Sequence, residues 1–375
     1  MSAELLNGNQ SVAWAVRRAR VNFISSFTSP FTSEIFENLA NWIERKDFEA
    51  EFLSCSTPRA AVSSVMAASA SGSRSFTALS SVSIAQCLDL LYNISSMRLP
   101  VIVTNCSSSL GIPLSFGNDH SDFLLARDSG WFLISASTNQ EIFDSILMQY
   151  KISESTYIPS LINYDSFLLS HTSEVVQVPS QKESASFLKP FKPKYPVLNF
   201  DRPVLHGVAS LSGDLSFEFR KNLHDCLISS KKEFSKVHKE YYKLFGRKYD
   251  FVEPFHTEDS EKIIICMGAV STSFKQVASE LRGKGKKIGI LRLRVLRPFP
   301  FEEITKELKG CNSVVIVDQA VSFGKGGILS SEILENIKDS GIKCINVVAG
   351  LGGKVLDKKA IKKIFEIEKE GINFV

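Results

Sequence analysis

Clustered cysteines are what this sequence most conspicuously lacks. Its seven, Cys55, Cys87, Cys106, Cys226, Cys266, Cys311 and Cys344, lie far apart, and none stand in C-x-x-C spacing. A zinc site or an iron–sulfur cluster ligated by this chain alone is therefore not expected. An odd count without an export signal reads as reduced, mostly buried thiols, so any redox cluster would come from a partner. Also missing is an apolar run long enough to span a bilayer. The start, M-S-A-E-L-L-N-G-N, has no basic segment leading into an apolar one, so the reading is cytoplasmic, with no membrane association. The basic residues are not interleaved with stacking aromatics, which argues against nucleic acid as a partner.

What is present is the composition of a globular protein: 375 residues, 44% hydrophobic and 22% charged. The length suits two domains. The net charge of +4 is uneven. Residues 1–240 hold 21 Lys+Arg against 23 Asp+Glu, and residues 241–375 hold 23 against 17. The basic C-terminal part fits a solvated lysine-rich surface or an anionic partner such as a nucleotide tail or an acidic electron carrier.

Strand and helix patterns alternate along the chain. Helices are expected at 10–20, 34–44, 60–73, 83–94 and 140–152, with Thr32 or Ser33 capping the second. Strands are expected at 21–24, 76–79, 100–104 and 131–136. Proline and lysine mark 178–203 as an extended connection, and 216–245 reads as one long polar helix. A second rhythm follows, with strands at 262–268, 288–295, 313–318 and 344–349 and helices at 273–285, 301–308 and 327–337. Such alternation implies α/β architecture in two doubly wound domains, 1–250 and a smaller 251–375.

The densest polar stretch is N-D-H-S-D-F-L-L-A-R-D-S-G-W (118–131). It sets Asn118, Asp119, His120, Asp122, Arg127 and Asp128 around Leu124 and Leu125, and each charge needs a partner or a task. The stretch also resembles a signature of the 2-oxoacid:ferredoxin oxidoreductases. The likeness to the α subunit of the pyruvate enzyme continues in G-N-Q-S-V-A-W-A-V-R-R-A-R-V (8–21), S-R-S-F-T-A (73–78), S-S-M-R-L-P-V (95–101), N-Q-E-I-F-D (139–144) and S-H-T-S-E-V-V (170–176). It extends to G-R-K-Y (246–249), V-E-P-F (252–255), R-V-L-R-P-F-P (294–300), S-F-G-K-G-G (322–327) and G-L-G-G-K-V (350–355).

The resemblance implies a thiamine-diphosphate pyrimidine-binding-type domain followed by a transketolase-C-terminal-like domain. It implies a complex of α, β, γ and δ subunits that decarboxylates a 2-oxoacid, passes electrons to ferredoxin and makes an acyl-coenzyme A. In that family thiamine diphosphate is shared with the β subunit, and magnesium and the iron–sulfur clusters sit on partner subunits. No metal ligand is expected on this chain, which lacks a G-D-G…N pattern.

Thiamine chemistry needs a carboxylic acid against the pyrimidine nitrogen. The family's glutamate, in an E-S-E-H-S-A-like stretch, falls on Pro58 in S-C-S-T-P-R-A-A (54–61). The substrate-contacting threonine of Y-P-I-T-P-x-T falls on Pro30 in F-T-S-P-F-T-S (27–33), with Thr28, Ser29 or Thr32 as substitutes only if the loop shifts. The arginine that holds the substrate carboxylate falls on Ser107 or Ser108, and T-S-S-Q-G has become L-S-S-V-S (79–83). Three readings follow: an enzyme subunit with an unusual pocket, a catalytically degenerate scaffold or regulatory α-like subunit, or a stand-alone binding protein.

The remaining signals allow both a structural and a functional reading. His120 is either a proton shuttle or part of a hydrogen-bonded knot. G-K-G-G (324–327) and G-L-G-G (350–353) are tight turns, although Lys325 and Gly326 are candidates for coenzyme A contact. Asp318 either edges a site or closes a strand. His206, His224 and His238 are assigned no role.

Overall fold

In a computed structural model of the chain the structure is described for all residues except 112–114, 196–197, 199–200, 202, 204–212 and 338–339. His206 and parts of the 178–203 and 105–113 segments therefore lie outside the described residues.

Two open sheets carry the fold, as the alternating pattern implies. The first runs in the order Val295–Arg297, Phe132–Ser135, Ser160–Asp165, Ile102–Ser107, Ser75–Leu79, Phe23–Phe27, Glu51–Cys55. All neighbours are parallel except Val295–Arg297, which is antiparallel and comes from the second block of sequence. The second sheet runs Gly371–Phe374, Lys343–Val348, Ser313–Asp318, Lys262–Met267, Ile288–Leu293, Val252–Phe255, with only the last pairing antiparallel. Central strands such as Ile102–Ser107 and Ser313–Asp318 are buried at every residue. That is the burial expected for parallel strands covered on both faces.

One helix organises the first domain. Asn139–Thr156 is capped by Thr138, whose side chain accepts from Glu141 N, and 13 of its 18 residues are buried. It lies between the helices Gly8–Ala19 and Lys231–Phe245. Its buried acids, Glu141 and Asp144, stand one turn apart, so both face the same flank.

Several sequence expectations need correction. The helix expected at 60–73 begins at Pro58, where proline suits the first turn and Thr57 Oγ1 accepts from Ala60 N at 3.1 Å. The helix expected at 83–94 is two, Val82–Gln86 and Leu88–Ser96, broken at Cys87. The 216–245 helix is also two, Gly213–Ser229 and Lys231–Phe245. Within the supposed extended connection stands a helix, Gln181–Phe187, held by a Ser180/Glu183 capping box and anchored by the buried Phe187. Thr32 does precede Ser33–Glu44, but its hydroxyl makes no cap bond. Strands Ser2–Leu6 and Glu174–Val178, paired antiparallel, and the edge strand Glu51–Cys55 were not anticipated. No helix among the described residues is long and apolar enough to cross a membrane.

Candidate functional site

In open parallel sheets ligands collect at the C-terminal ends of the strands. Here that edge is formed by the loops after Phe27, Cys55, Leu79, Ser107 and Asp165. Asp122, fully buried, sits at its centre. Its Oδ1 accepts from Phe123 N and Ser107 Oγ, both at 2.6 Å, and its Oδ2 accepts from Ser81 N at 2.9 Å and Ser108 N at 3.1 Å. Burial pushes this carboxyl up to about 6 against the pull of those donors. One side chain thus ties the ends of two strands to the helix Ser121–Leu125.

The neighbouring residues of N-D-H-S-D tie this edge to the second domain. Asp119 Oδ1 accepts from the backbone N–H and hydroxyl of Ser121, and its Oδ2 accepts from Gly352 N at 3.0 Å. The N–H of His120 donates to the Gln319 carbonyl at 2.8 Å. The His120 ring lies over Gly268, where a Cβ would stand 2.8 Å from Nε2. Burial holds this imidazole neutral, with its pKa down to about 4. Burial pushes the Asp165 carboxyl up to about 7, with the neighbouring Asn118 opposing the rise. The G-L-G-G loop packs on Gly117 so closely that a Cβ on Gly353 would stand 2.2 Å from the Gly117 Cα.

Arg127 and Asp128 do not join this cluster. They pair at 3.2 Å near the surface beside Arg297, whose Nε donates to the Arg127 carbonyl and whose guanidinium clasps Glu332. Leu124 is buried but Leu125 is exposed, so the stretch is not one polar knot around two leucines. The short helix Ser121–Leu125 turns the two halves apart.

The other expected positions are also placed. Ser29 is buried with its hydroxyl 2.8 Å from that of Ser80; Thr28 and Pro30 are exposed; Thr32 Oγ1 is buried without a partner. Pro58 opens its helix at the end of Glu51–Cys55. Next to it Arg59 grips Asp89 through both oxygens, at 2.5 and 2.9 Å.

In the second domain Asp318 accepts from Leu329 N, Ser330 N and Asn346 Nδ2, so it closes its strand onto the start of the helix Ile328–Ile337. A Cβ at Gly327 would stand 1.9 Å from Asp318 Oδ2. Gly327→Ala is accordingly expected to cost about 1–3 kcal/mol, read as a lowered midpoint in thermal unfolding. Lys325 is exposed in the hairpin turn, and the Gly327 N–H is taken by Asn346 Oδ1 at 3.1 Å.

A second polar centre escaped the sequence reading. Glu141 Oε1 accepts from Arg294 Nε at 2.6 Å and from Arg292 at 3.0 Å, while Oε2 accepts from Ser137 N and Oγ. Asp144 accepts from Arg247, Tyr241 and Tyr249. Glu141 and both arginines line a cleft of about 490 Å³ with Lys248 and Glu253. The signal was two arginines inside the apolar run I-G-I-L-R-L-R-V, since an interior charge requires a buried partner.

An open, mainly parallel sheet whose C-terminal edge is locked onto a smaller, mainly parallel sheet defines a doubly wound α/β chain. The family description "Pyruvate flavodoxin/ferredoxin oxidoreductase, thiamine diP-bdg" matches residues 14–239, and "Pyruvate:ferredoxin oxidoreductase core domain II" matches 260–361. The chain belongs to this family, as an α subunit of the 2-oxoacid:ferredoxin oxidoreductase kind. It is 34% identical to pyruvate synthase subunit PorA of Methanothermobacter thermautotrophicus, over 97% of this chain and 94% of that one. It is 31% identical to ketoisovalerate oxidoreductase subunit VorA of Pyrococcus horikoshii, over 98% and 94%. Among solved structures it resembles a 2-oxoglutarate:ferredoxin oxidoreductase from Magnetococcus marinus, with TM-score 0.73 at 14% identity. That match covers 97% of this chain and 65% of the solved one. A split-gene transketolase matches with TM-score 0.57 at 12% identity, over 97% of this chain and 99% of that chain.

Proposed function

We propose that this chain occupies the α position in a cytoplasmic, heteromeric 2-oxoacid:ferredoxin oxidoreductase. Active members of that family oxidatively decarboxylate a 2-oxoacid to an acyl-coenzyme A and pass the electrons to ferredoxin. Partner chains of β, γ and δ type would carry the magnesium–diphosphate site, the clusters and the ferredoxin contact. The dispersed cysteines of this chain support that division.

The observation that carries the reading is an apolar patch on the C-terminal edge of the first sheet. Phe116, Phe167 and Leu168 are 72%, 63% and 54% exposed. The Phe31 ring lies 5.9 Å from that of Phe116, and Ser166 Oγ reaches the Phe116 carbonyl at 3.5 Å, so the loops form one surface. Contiguous exposed aromatics on a well-packed domain are suited to burial by another chain. The occupant is the β-type partner, because this edge is where the two halves of a shared cofactor site must meet.

Co-expression with the β-, γ- and δ-type chains tests the reading. A stable heteromer is expected on gel filtration. Phe116→Asp with Leu168→Asp should cut co-purification at least about tenfold, as for central interface anchors. Undiminished co-purification would remove this surface from the interface. The second reading, a catalytically degenerate α-like subunit, is favoured by Pro58.

A further inference from the structure

The family uses thiamine diphosphate, and the residues present do not fit its activation. The pyrimidine ring needs an acid with a free carboxyl oxygen at this sheet edge. Pro58 holds the expected place, as the buried first residue of its helix, and the hydroxyl of Thr57 beside it is committed to Ala60 N.

At this edge Asp165 keeps one carboxyl oxygen, Oδ1, without a hydrogen-bond partner, but that oxygen is buried facing Gly268, and four strand spacings put it about 19 Å from the end of Glu51–Cys55. Six other described acids, Glu34, Glu49, Glu51, Asp89, Asp119 and Asp122, are each placed or bonded elsewhere. Glu51 pairs with Phe23 at the start of the edge strand, whereas Cys55 pairs with Phe27 at its end. Four residue steps therefore put Glu51 about 13 Å from the C-terminal edge. Glu49 and Glu51 instead line a cleft of about 680 Å³ with Arg17, Arg18 and Arg20. Asp89 has both oxygens on Arg59. Asp119 and Asp122 are buried and fully occupied by Ser121, Gly352, Ser81, Ser107, Ser108 and Phe123. Glu34 has both oxygens on Asn7 Nδ2.

The carboxylate-binding arginine fails in the same place. Ser107 and Ser108 are buried, with the Ser107 hydroxyl and the Ser108 N–H on Asp122 and the Ser108 hydroxyl on the Ser115 carbonyl, so neither offers a cation to a substrate. The loss thus reaches both the cofactor side and the substrate side of one pocket, while the interdomain ties and the apolar docking patch are intact.

We infer that this chain is a catalytically silent α subunit: it fills the α position and presents the docking surface, but supplies no acid to switch on a cofactor held by its partner. The inference rests on the α-position reading above, and the two are separated by measuring assembly and chemistry independently.

The wild-type heteromer is isolated with thiamine diphosphate and magnesium, and its formation is read by gel filtration. Exchange of the cofactor's C2 proton for deuterium is then followed by acid quench and NMR. Reduction of a viologen dye is measured with pyruvate, 2-oxoisovalerate and 2-oxoglutarate, each with coenzyme A. The expected result is a formed complex whose C2 exchange matches free cofactor in buffer, with no oxoacid-dependent reduction. In the same complex Pro58→Glu should speed exchange by about 100-fold or more, the usual scale of a positioned acid. Wild-type exchange more than about tenfold above free cofactor overturns the inference, and its loss in Asp89→Asn would then identify the acid. Failure of the wild-type chains to assemble overturns the α-position reading and the inference with it.

Discussion

Glu141→Ala is expected to lower the unfolding free energy by about 3–5 kcal/mol, the range for leaving a buried charge without its partner. The exposure of Arg294 is 1%, and Glu141 is the carboxylate that faces it. Arg292 keeps Glu253 at 2.6 Å, so the larger part of the loss falls on Arg294. Ser137 loses the acceptor of both its N–H and its hydroxyl. Denaturant unfolding checks the magnitude, and Glu141→Ala combined with Arg294→Met should recover part of it, because the orphaned charge is gone. Burial alone would raise the Glu141 carboxyl, but Arg292 and Arg294 hold it down at about 2 from an ordinary 4.5. A depressed carboxyl contributes its stability in full above about pH 4.5 and loses it as pH falls toward 2. That loss amounts to about 3 kcal/mol. Glu141→Gln should flatten this acid limb; a mutant limb as steep as the wild type's would show that the pair does not set it.

The fold was legible where burial wrote a strong pattern. Ile263–Met267 and Val314–Val317 are apolar runs bounded by turns, and a strand covered on both faces leaves that mark. Pairings without such a mark were missed. Glu51–Cys55 is an edge strand with exposed side chains, and Ser2–Leu6 finds Glu174–Val178 only across the length of the domain. The helix Gln181–Phe187 did carry a signal, Ser180 with Glu183, but prolines and lysines around it read as an extended connection.

The site divides in the same way. The expectation that Pro58, Pro30, Ser107 and Ser108 stand where the family's reactive groups belong rests on register along the chain. What holds the edge together does not. Asp122 takes donors from Ser81, Ser107 and Ser108, on loops that only the sheet order Ile102–Ser107 beside Ser75–Leu79 makes adjacent. Likewise N-Q-E-I-F-D, G-R-K-Y and L-R-L-R are separate words in the sequence. The structure joins them through Glu141 and Asp144, which explains why they occur together: each acid is the partner of a charge supplied more than a hundred residues later.

Asp122→Asn is expected to be nearly as harmful as Asp122→Ala, at about 3 kcal/mol or more at neutral pH. Isosteric exchange normally rescues a carboxylate that accepts through one oxygen. Here both oxygens accept twice, Oδ1 from Phe123 N and Ser107 Oγ, Oδ2 from Ser81 N and Ser108 N. Whichever way the amide is turned, its NH₂ faces two donors. The Ser107 hydroxyl can rotate toward the Asp119 carbonyl, 2.7 Å away, but a backbone N–H cannot rotate. Turning the NH₂ toward Phe123 is therefore the milder choice, and it still strands one buried N–H, costing about 1–3 kcal/mol, beyond the loss of the charge-assisted bonds. The damage is local, because the four donors belong to the strand ends and the short helix rather than to the Glu141 centre. Amide hydrogen exchange should therefore report it first: Ser81, Ser108 and Phe123 should exchange about 100-fold faster, the equivalent of roughly 3 kcal/mol, while amides of the Asn139–Thr156 helix change little. If those three amides stay protected in Asp122→Asn, the edge is held by its loops and not by the carboxylate.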